Sequence, residues 1–422
     1  MSQAARVPMQ ASSSIVGANQ GTAAFAAMIG LTWGLSTIAL MGLGVFIGPL
    51  QAEFGWTRTQ VALVSTFINL TAVTMSPLQG ALIDRFGSRR VVLPSLVVFA
   101  VGLMLLYFLP PQIEMFYLSW CIIAAFSVGL LPGSFLRVVG TWFDRNLGLA
   151  MGLANSGIGL GNIIVPLVAT AVIISYGWRM AYVTLGLVVL FVVLPVCFLW
   201  LREKERPAVE SPEALLARKR TASQKFKQAI RSKPFMIIVV AFFFMGLVNT
   251  ALIAQQVPIL TDAGLSRQKA AFIQSMFGVF LIVGRLGAGF LLDRVFAPIL
   301  MIVVALGGVV ACLIYSTGTS GQIVYLSAAL LGLVIGAEFD VLGYLVKRYF
   351  GIEAFGRIYS VIFALFQLGG AMGVVAFSYS YKAFGNYQYG LYGAATSLLL
   401  ACVAFAFVPK YPAVSAPKAV EA

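Results

Sequence analysis

Four ionisable side chains lie inside long apolar stretches of this sequence. Arg137, Arg285, Glu338 and Asp340 are each surrounded by aliphatic, aromatic and small residues. A charge in hydrocarbon costs several kcal/mol unless it is paired or wetted, so such a residue needs a partner or a function. Two guanidinium groups and two carboxyl groups offer two kinds of chemistry, which are the binding of an anion and the transfer of a proton.

Arg285 is the first candidate for an anion site. It lies eight residues before Asp293, which at about 1.5 Å per residue places it about 12 Å from the end of its apolar run. A guanidinium presents a planar fork that matches a carboxylate bidentately. We therefore expect Arg285 to anchor an organic anion. The alternative is a salt bridge between helices, or packing within the segment Gly284 to Gly289, without ligand contact.

Glu338 and Asp340 are the candidates for carrying a proton. They lie two residues apart, so on a helix they project about 200° apart and cannot both face one central space. The chain has no histidine, the side chain that usually titrates near neutral pH. Because burial favours the neutral form of a carboxyl group, either acid could take up a proton and release an arginine partner. Each could equally be a permanent counter-ion.

Arg137 and five uncharged polar residues complete the predicted substrate site. Arg137 lies seven residues before Asp144, about 10 Å from the end of its run, a depth that suits a second carboxylate site or a gate. The uncharged candidates are Asn155, Asn249, Gln256, Tyr344 and Gln367. Any one of them could instead bridge two helices. As a set they predict a cavity with apolar walls and a few amides, suited to an aromatic or branched carboxylate.

A short charged motif closes two of the apolar runs. Its copies are Gly80 to Arg90 and Gly289 to Arg294, and the spacing between them also relates Gly55-Trp56-Thr57-Arg58 to Gly264-Leu265-Ser266-Arg267, which indicates a duplicated chain. A glycine lets helices approach closely, and an aspartate can pair with basic residues or cap a neighbouring helix. We interpret these residues as a conformational latch: Gly80, Asp84, Arg85, Gly87, Arg89, Arg90, Asp293 and Arg294.

The apolar stretches are long enough to cross a membrane. The 422 residues are 60% hydrophobic and 10% charged, and one crossing needs about 20 apolar residues. Twelve stretches qualify, at about 24–50, 59–83, 91–109, 114–141, 147–174, 179–201, 234–260, 268–292, 298–317, 322–346, 357–381 and 388–408. The prediction is an all-α membrane protein with twelve transmembrane helices in two pseudo-symmetric six-helix bundles.

These stretches also divide the chain. We predict an N-terminal tail, a first bundle, a central loop, a second bundle and a C-terminal tail over residues 1–23, 24–201, 202–233, 234–408 and 409–422. The central loop is the one long hydrophilic interval. It forms either a surface helix with Phe226 and Ile230 turned toward lipid, or a disordered linker.

The basic residues predict the orientation. Most of the 28 Lys and Arg lie in the tails and the even-numbered connections, and positively charged loops stay on the cytoplasmic side. We expect a protein of a bacterial inner membrane, with both termini in the cytoplasm. The net charge of +14 then faces anionic lipid headgroups, not nucleic acid. The four cysteines form no CxxC pair, and we expect no metal site.

The motif from Gly80 to Arg90 reads G-x-x-x-D-R-x-G-x-R-R. Together with twelve spans in two repeated halves and a long central loop, it resembles the major facilitator superfamily. Within that superfamily, Tyr176-Gly177-Trp178-Arg179, Trp142-Phe143-Asp144-Arg145 and Gly284-Arg285-Leu286-Gly287 are similar to the monocarboxylate transporter and oxalate:formate antiporter group. The resemblance implies a central cavity that opens alternately to each side, and it gives Arg285 the position of the group's substrate-binding arginine in span 8.

Two lysines of that group are missing here. The segment Thr32 to Ser36 in span 1 carries no charge, which removes the group's usual proton relay. The segment Ile358 to Tyr381 in span 11 contains no Lys or Arg, so oxalate exchange is not expected.

The expected function is secondary active transport of a small organic anion, a monocarboxylate or related carboxylate, by alternating access and proton symport. The alternative is a proton-driven efflux antiporter for drugs or metabolites. The expected partners are the carboxylate, protons and the lipid bilayer, and we expect a monomer without a cofactor. An enzyme is not expected, because the sequence has no nucleophile elbow, phosphate loop or metal-ligand cluster.

Overall fold

A computed structural model describes residues 9–204, 212–318 and 321–412, which are almost entirely helical. The helices of the first half are α1 Met9–Thr32, α2 Leu43–Phe54, α3 Arg58–Phe86, α4 Ser88–Leu105, α5 Ile113–Phe126, α6 Pro132–Trp142, α7 Leu147–Val188 and α8 Leu194–Trp200. Those that follow are α9 Pro212–Ile230, α10 Lys233–Asp262, α11 Arg267–Leu292, α12 Ala297–Ser316, α13 Ile323–Phe350, α14 Phe355–Phe384 and α15 Gln388–Ala406.

The helices confirm the predicted class of an all-α membrane protein. Within the described residues, ten helical stretches are long and apolar enough to cross a bilayer. One of them, Leu147–Trp200, has 54 residues and holds two crossings, since a bilayer core needs only about 20. Span 4 is assembled from α5 and α6, which a short turn over Val128–Leu130 separates. The described residues thus provide the twelve predicted crossings.

A sharp turn at Gly177 divides the long stretch. Gly177 has φ 82° and ψ 167° inside α7, a backbone region that is essentially restricted to glycine. The space around a side chain at this position is open. The glycine is therefore required by the backbone conformation and not by packing, and it separates span 5 from span 6 where the sequence reads Tyr176-Gly177-Trp178.

The two halves meet along two equivalent helix pairs, which are α3 with α14 and α7 with α11. Glycines allow the backbones to touch near one end of each pair. A methyl group at Gly80 would lie 2.7 Å from the carbonyl carbon of Gly356, and one at Gly289 would lie 2.8 Å from the Gly148 oxygen. Because the sequence repeat relates α3 to α11, the two contacts are copies of each other. We call the end of the molecule that carries Asp84 and Asp293 the latch end.

The central segment contains α9, so the structure favours a helix over a linker for residues 212–230. The expectation that Phe226 and Ile230 face lipid is wrong, because both side chains pack against the hydrophobic core. α9 contacts α3 of the first half and α14 of the second. Lys225 Nζ lies 2.6 Å from Glu353 Oε1, and Arg357 Nη1 donates to Ser223 Oγ at 2.9 Å.

Replacement of Gly177 by alanine is expected to destabilise the protein through backbone strain alone, by about 1–3 kcal/mol. The measurement is the thermal unfolding midpoint of the purified protein in detergent. The matched control is Gly44→Ala, which also adds a methyl group to open space but within an ordinary helix. An unfolding midpoint for Gly177→Ala as high as that of Gly44→Ala would contradict the strain argument.

Candidate functional site

Five of the predicted site residues form one buried polar group between the halves. They are Asn155 of α7, Asn249 of α10, Arg285 of α11, and Glu338 and Asp340 of α13, here called the Arg285 cluster. Each is at most 6% exposed. α7 belongs to the first half and the other three helices to the second, so the cluster bridges the two halves.

Hydrogen bonds connect the cluster across the interface. Arg285 Nη1 donates to the backbone carbonyl of Asn155. The side chain of Asn155 in turn donates from Nδ2 to Asp340 Oδ1 at 2.5 Å. Asn249 Nδ2 donates to Glu338 Oε2 within the second half. Asp340 therefore interacts with the first half, whereas Glu338 is held inside the second.

Several atoms of the cluster lack a hydrogen-bond partner within the described part of the chain. They are Arg285 Nε, Asp340 Oδ2 and Asn155 Oδ1. Asp340 and Glu338 are electrostatic neighbours of Arg285, yet among the described residues neither forms an ion pair with it. An unsatisfied buried polar atom costs about 1–3 kcal/mol. The cluster thus offers one donor and two acceptors to a ligand, a proton or water.

Glycines on three helices allow close packing around Arg285. A methyl group at Gly152 of α7 would lie 2.9 Å from the Arg285 carbonyl oxygen, and one at Gly336 of α13 would lie 3.0 Å from the Arg285 nitrogen. A methyl group at Gly284 would lie 2.8 Å from the Leu333 Cα. These glycines let α7 and α13 pack directly on the backbone of α11.

Tyr359 of α14 lies beside the Arg285 cluster, although the sequence did not predict it as a site residue. Its side chain is 1% exposed, and its hydroxyl group has no hydrogen-bond partner among the described residues. It interacts electrostatically with both Asp340 and Arg285. The ring stacks on Phe355 and Phe363, with centroids 5.7 and 6.0 Å away. A tyrosine in an apolar span usually packs against other helices, so its residue type does not indicate a site. Only the proximity to Asp340 and Arg285 indicates that Tyr359 belongs to the site.

Arg137 lies with the latch and not in the Arg285 cluster. Its Nη1 bonds Glu203 Oε1, and its Nε lies 3.6 Å from Asp84 Oδ1. Glu203 also accepts from the Ser88 amide at 2.9 Å. The geometry therefore places Arg137 beside Asp84 and Glu203, apart from the Arg285 cluster. Glu203 was missed because it follows span 6 in a polar segment.

The two motif aspartates cap helices of the opposite half. Asp84 accepts from the amides of Gly356 at 2.8 Å and Arg357 at 3.0 Å, at the start of α14. Asp293 accepts from Gly148 at 2.9 Å and Leu149 at 3.1 Å, at the start of α7. The first amides of a helix lack intrahelical partners and carry partial positive charge, so a carboxylate is favourable there.

The basic residues of the motif contact other groups. Arg85 lies over the Phe86 ring at 4.7 Å, Arg89 Nη2 donates to the Phe198 carbonyl at 2.6 Å, and Arg294 Nη1 donates to the Phe290 carbonyl at 2.9 Å. Arg90 is exposed. Gly87 ends α3 with φ 88°. The aspartates and the glycines at positions 80 and 289 therefore form the contact between the halves.

The remaining predicted ligands are dispersed. Gln256 Nε2 donates to the Tyr315 hydroxyl group at 2.8 Å within the second half. The Tyr344 ring lies 5.0 Å from the Arg348 guanidinium and 6.4 Å from the Tyr411 ring, which places it toward the latch end, apart from the Arg285 cluster. Gln367 Nε2 lies 3.4 Å from Asn69 Oδ1 of the first half.

A further ion pair joins the halves at the latch end. Lys347 Nζ lies 2.8 Å from Asp144 Oδ1 and donates to the Phe143 carbonyl at 2.5 Å. The hydrogen bond from Lys347 holds the pKa of Asp144 below its usual value. The stabilisation is therefore complete above the ordinary aspartate pKa of about 4 and is lost only as the pH falls further. Asp144 therefore stays ionised near neutral pH.

Replacement of Asp84 by asparagine should open the latch end. The change removes the negative charge and leaves one acceptor for two amides, so the closed arrangement becomes less populated. Spin labels at positions 145 and 295, one in each half, would report a longer mean distance. Glu114→Gln, which neutralises an exposed acid in the first turn of α5, is the control. An unchanged distance distribution in Asp84→Asn would contradict the role of the carboxylate.

Comparison with known proteins gives a family match over nearly the whole chain. The model of the Major Facilitator Superfamily matches residues 22–374 and 258–422. Monocarboxylate transporter 13 of Bos taurus is 27% identical over 402 residues, covering 90% of this chain and 87% of that protein. Monocarboxylate transporter 12 of Xenopus laevis is 23% identical over 347 residues, covering 76% of this chain and 74% of that protein.

A solved structure has the same fold. The crystal structure of a Major Facilitator Superfamily transporter, FucP, in the outward conformation superposes with a TM-score of 0.74 at 17% identity, covering 92% of this chain and 99% of that one. At this identity the likeness concerns the arrangement of the helices alone.

Proposed function

The chain belongs to the Major Facilitator Superfamily and is a secondary transporter, and we propose that it carries a small organic anion together with protons by alternating access. In this proposal both termini are cytoplasmic and the membrane is a bacterial inner membrane. The latch end then faces the cytoplasm. Since the aspartate caps close that end, the arrangement described above corresponds to a state closed toward the cytoplasm.

One observation carries the proposal: Arg285 is a buried guanidinium that has no ion-pair partner among the described residues and keeps an unpartnered Nε. Burial of an unpaired charge is costly, and a carboxylate that accepts two parallel hydrogen bonds is the ligand that best offsets that cost. The positive charge disfavours cationic cargo. The similarity to two monocarboxylate transporters supports a monocarboxylate as the first class to test.

Asp340 is the proposed proton carrier. Its Oδ2 has no partner and its Oδ1 accepts from Asn155 of the first half, whereas Glu338 is bonded to Asn249 within the second half. A proton on Asp340 neutralises the carboxylate that interacts most strongly with Arg285, so the guanidinium attracts an anion more strongly. Proton and monocarboxylate together add no net charge to the buried site.

Two helices connect this site to the latch. α11 carries Arg285 and ends next to the capping residue Asp293, and α14 carries Tyr359 two to three residues beyond the amides that bind Asp84. A shift of α11 on ligand binding therefore acts on the Asp293 cap, and a shift of α14 acts on the Asp84 cap. In the proposed cycle, the loaded site weakens the caps, and the latch end opens to release anion and proton.

Replacement of Arg285 by alanine should abolish exchange of the anion. The experiment is counterflow in proteoliposomes, first with a panel of labelled monocarboxylates. Arg285→Ala is expected to lower the rate at least about thirtyfold, since loss of a buried charge-assisted contact costs about 2–5 kcal/mol. Arg285→Lys retains the charge but not the fork, and a loss of about tenfold or more is expected.

Lys269→Ala, which removes an exposed cation far along the same helix, is the matched control. Normal monodispersity and an unchanged unfolding midpoint would establish that the variants fold. Unimpaired exchange by a folded Arg285→Ala would overturn the assignment of the site.

Replacement of Asp340 by asparagine should separate exchange from coupling. Counterflow is expected to persist, because asparagine mimics the protonated acid, while accumulation driven by a proton gradient is lost and the dependence of exchange on pH becomes flat. Glu338→Gln is the matched control, since that acid is equally buried. If coupling were lost in Glu338→Gln and kept in Asp340→Asn, the proton carrier would be Glu338 and not Asp340.

A further inference from the structure

A cavity of about 510 Å³ lies apart from the Arg285 cluster, at the ends of several helices. It is formed by the last turns of α9 and α13, the start of α10 and the segment that follows α15. Its lining consists of Lys225, Gln228, Ala229, Ser232, Pro234, Tyr349, Phe350, Pro409, Lys410 and Pro412. The volume is within the range of small-molecule sites, about 300–1,000 Å³.

The lining is positively charged on one side and apolar on the other. Among the described residues, the lining includes two lysines and no acidic residue. Lys225 is paired with Glu353 at 2.6 Å, and although partial burial opposes the charge, the hydrogen bond from Lys225 keeps the pKa of Glu353 below its usual value. Lys410 is exposed and takes no part in that pair. Lys410 therefore offers a positive charge to a ligand.

The cavity also receives the positive end of a helix. Ser232 caps α10 and accepts from the Phe235 amide at 3.4 Å, so the start of this long helix borders the space. Phe350 and the three prolines supply the apolar wall. The Tyr349 hydroxyl group donates to the Pro409 carbonyl and fastens the segment after α15 to α13.

Its depth in the membrane identifies the kind of ligand. α10 begins at Lys233, α13 ends at Phe350 and α15 ends at Ala406, so the cavity lies where spans meet the headgroup layer. Exposed lysines and arginines at positions 227, 231 and 233 adjoin it. A phospholipid matches the charged and apolar parts of the lining, because its phosphate can lie beside a lysine while its glycerol and acyl carbons contact the apolar wall.

We propose that this cavity binds the headgroup phosphate of an anionic phospholipid. Lys410 and Lys225 contact the phosphate, and Phe350 and Pro234 contact the glycerol and the first acyl carbons. The bound lipid connects α9 with α10, α13 and the segment 409–412. Because α9 also contacts α3 and α14, an occupied cavity holds the central segment against the latch end.

The test is a lipid titration of the full chain in detergent, followed by the unfolding midpoint and by native mass spectrometry. Phosphatidylglycerol is expected to raise the midpoint and to bind with defined stoichiometry, since a ligand of the folded state stabilises it. Lys410→Gln should weaken this binding at least fivefold. Lys382→Gln, an exposed lysine at the end of α14, is the matched control and should bind as the unchanged protein does.

Three comparisons distinguish the occupant. Phosphatidylcholine that binds as tightly as phosphatidylglycerol, or wild-type affinity in Lys410→Gln, would overturn the proposal. Inorganic phosphate that saturates the cavity, with no further gain from the lipid, would assign it to free phosphate instead. The third comparison uses a chain that ends at residue 412. If this shorter chain binds the lipid and the full chain does not, residues 413–422 are the natural occupant of the cavity.

Discussion

Closure of the two halves depends on one interaction used twice, a carboxylate that accepts from the first amides of a helix in the opposite half. Asp84 does this at α14 and Asp293 at α7. Those amides have no partner within their own helix, and the helix dipole concentrates positive charge around them. Separation of the halves exposes both carboxylates and their amides together.

The buried polar site is built on the helices that these carboxylates join. α11 carries Arg285 and ends next to Asp293, and α14 carries Tyr359 beyond the amides that Asp84 binds. Asn155, on α7, contacts Arg285 and Asp340 from the other half. The site and the latch are thus two parts of the same interface, about two helical turns apart along α11. This closeness gives the proposed coupling a direct route through backbone and needs no long chain of side chains.

The fold could be predicted because a bilayer requires long apolar helices and because the motif occurs twice. The members of the Arg285 cluster could be predicted in part, since a charge in an apolar run needs a partner. Which helices supply the partners could not be predicted. Tyr359 and Glu203 could not, because neither their type nor their sequence position reveals the neighbours that give them significance. Depth alone left Arg137 between two roles. The neighbours of Tyr344 could not be predicted either, because they depend on tertiary packing around α13.

The caps accept from backbone amides, and this decides which positions tolerate mutation. Any residue other than proline supplies an amide, so the side chains at Arg357 and Leu149 are free to change as far as capping is concerned. Gly148 and Gly356 are not free, because a side chain there would collide with the opposite backbone. Drift in sequence can therefore alter most of the interface between relatives while the closing contact itself remains the same.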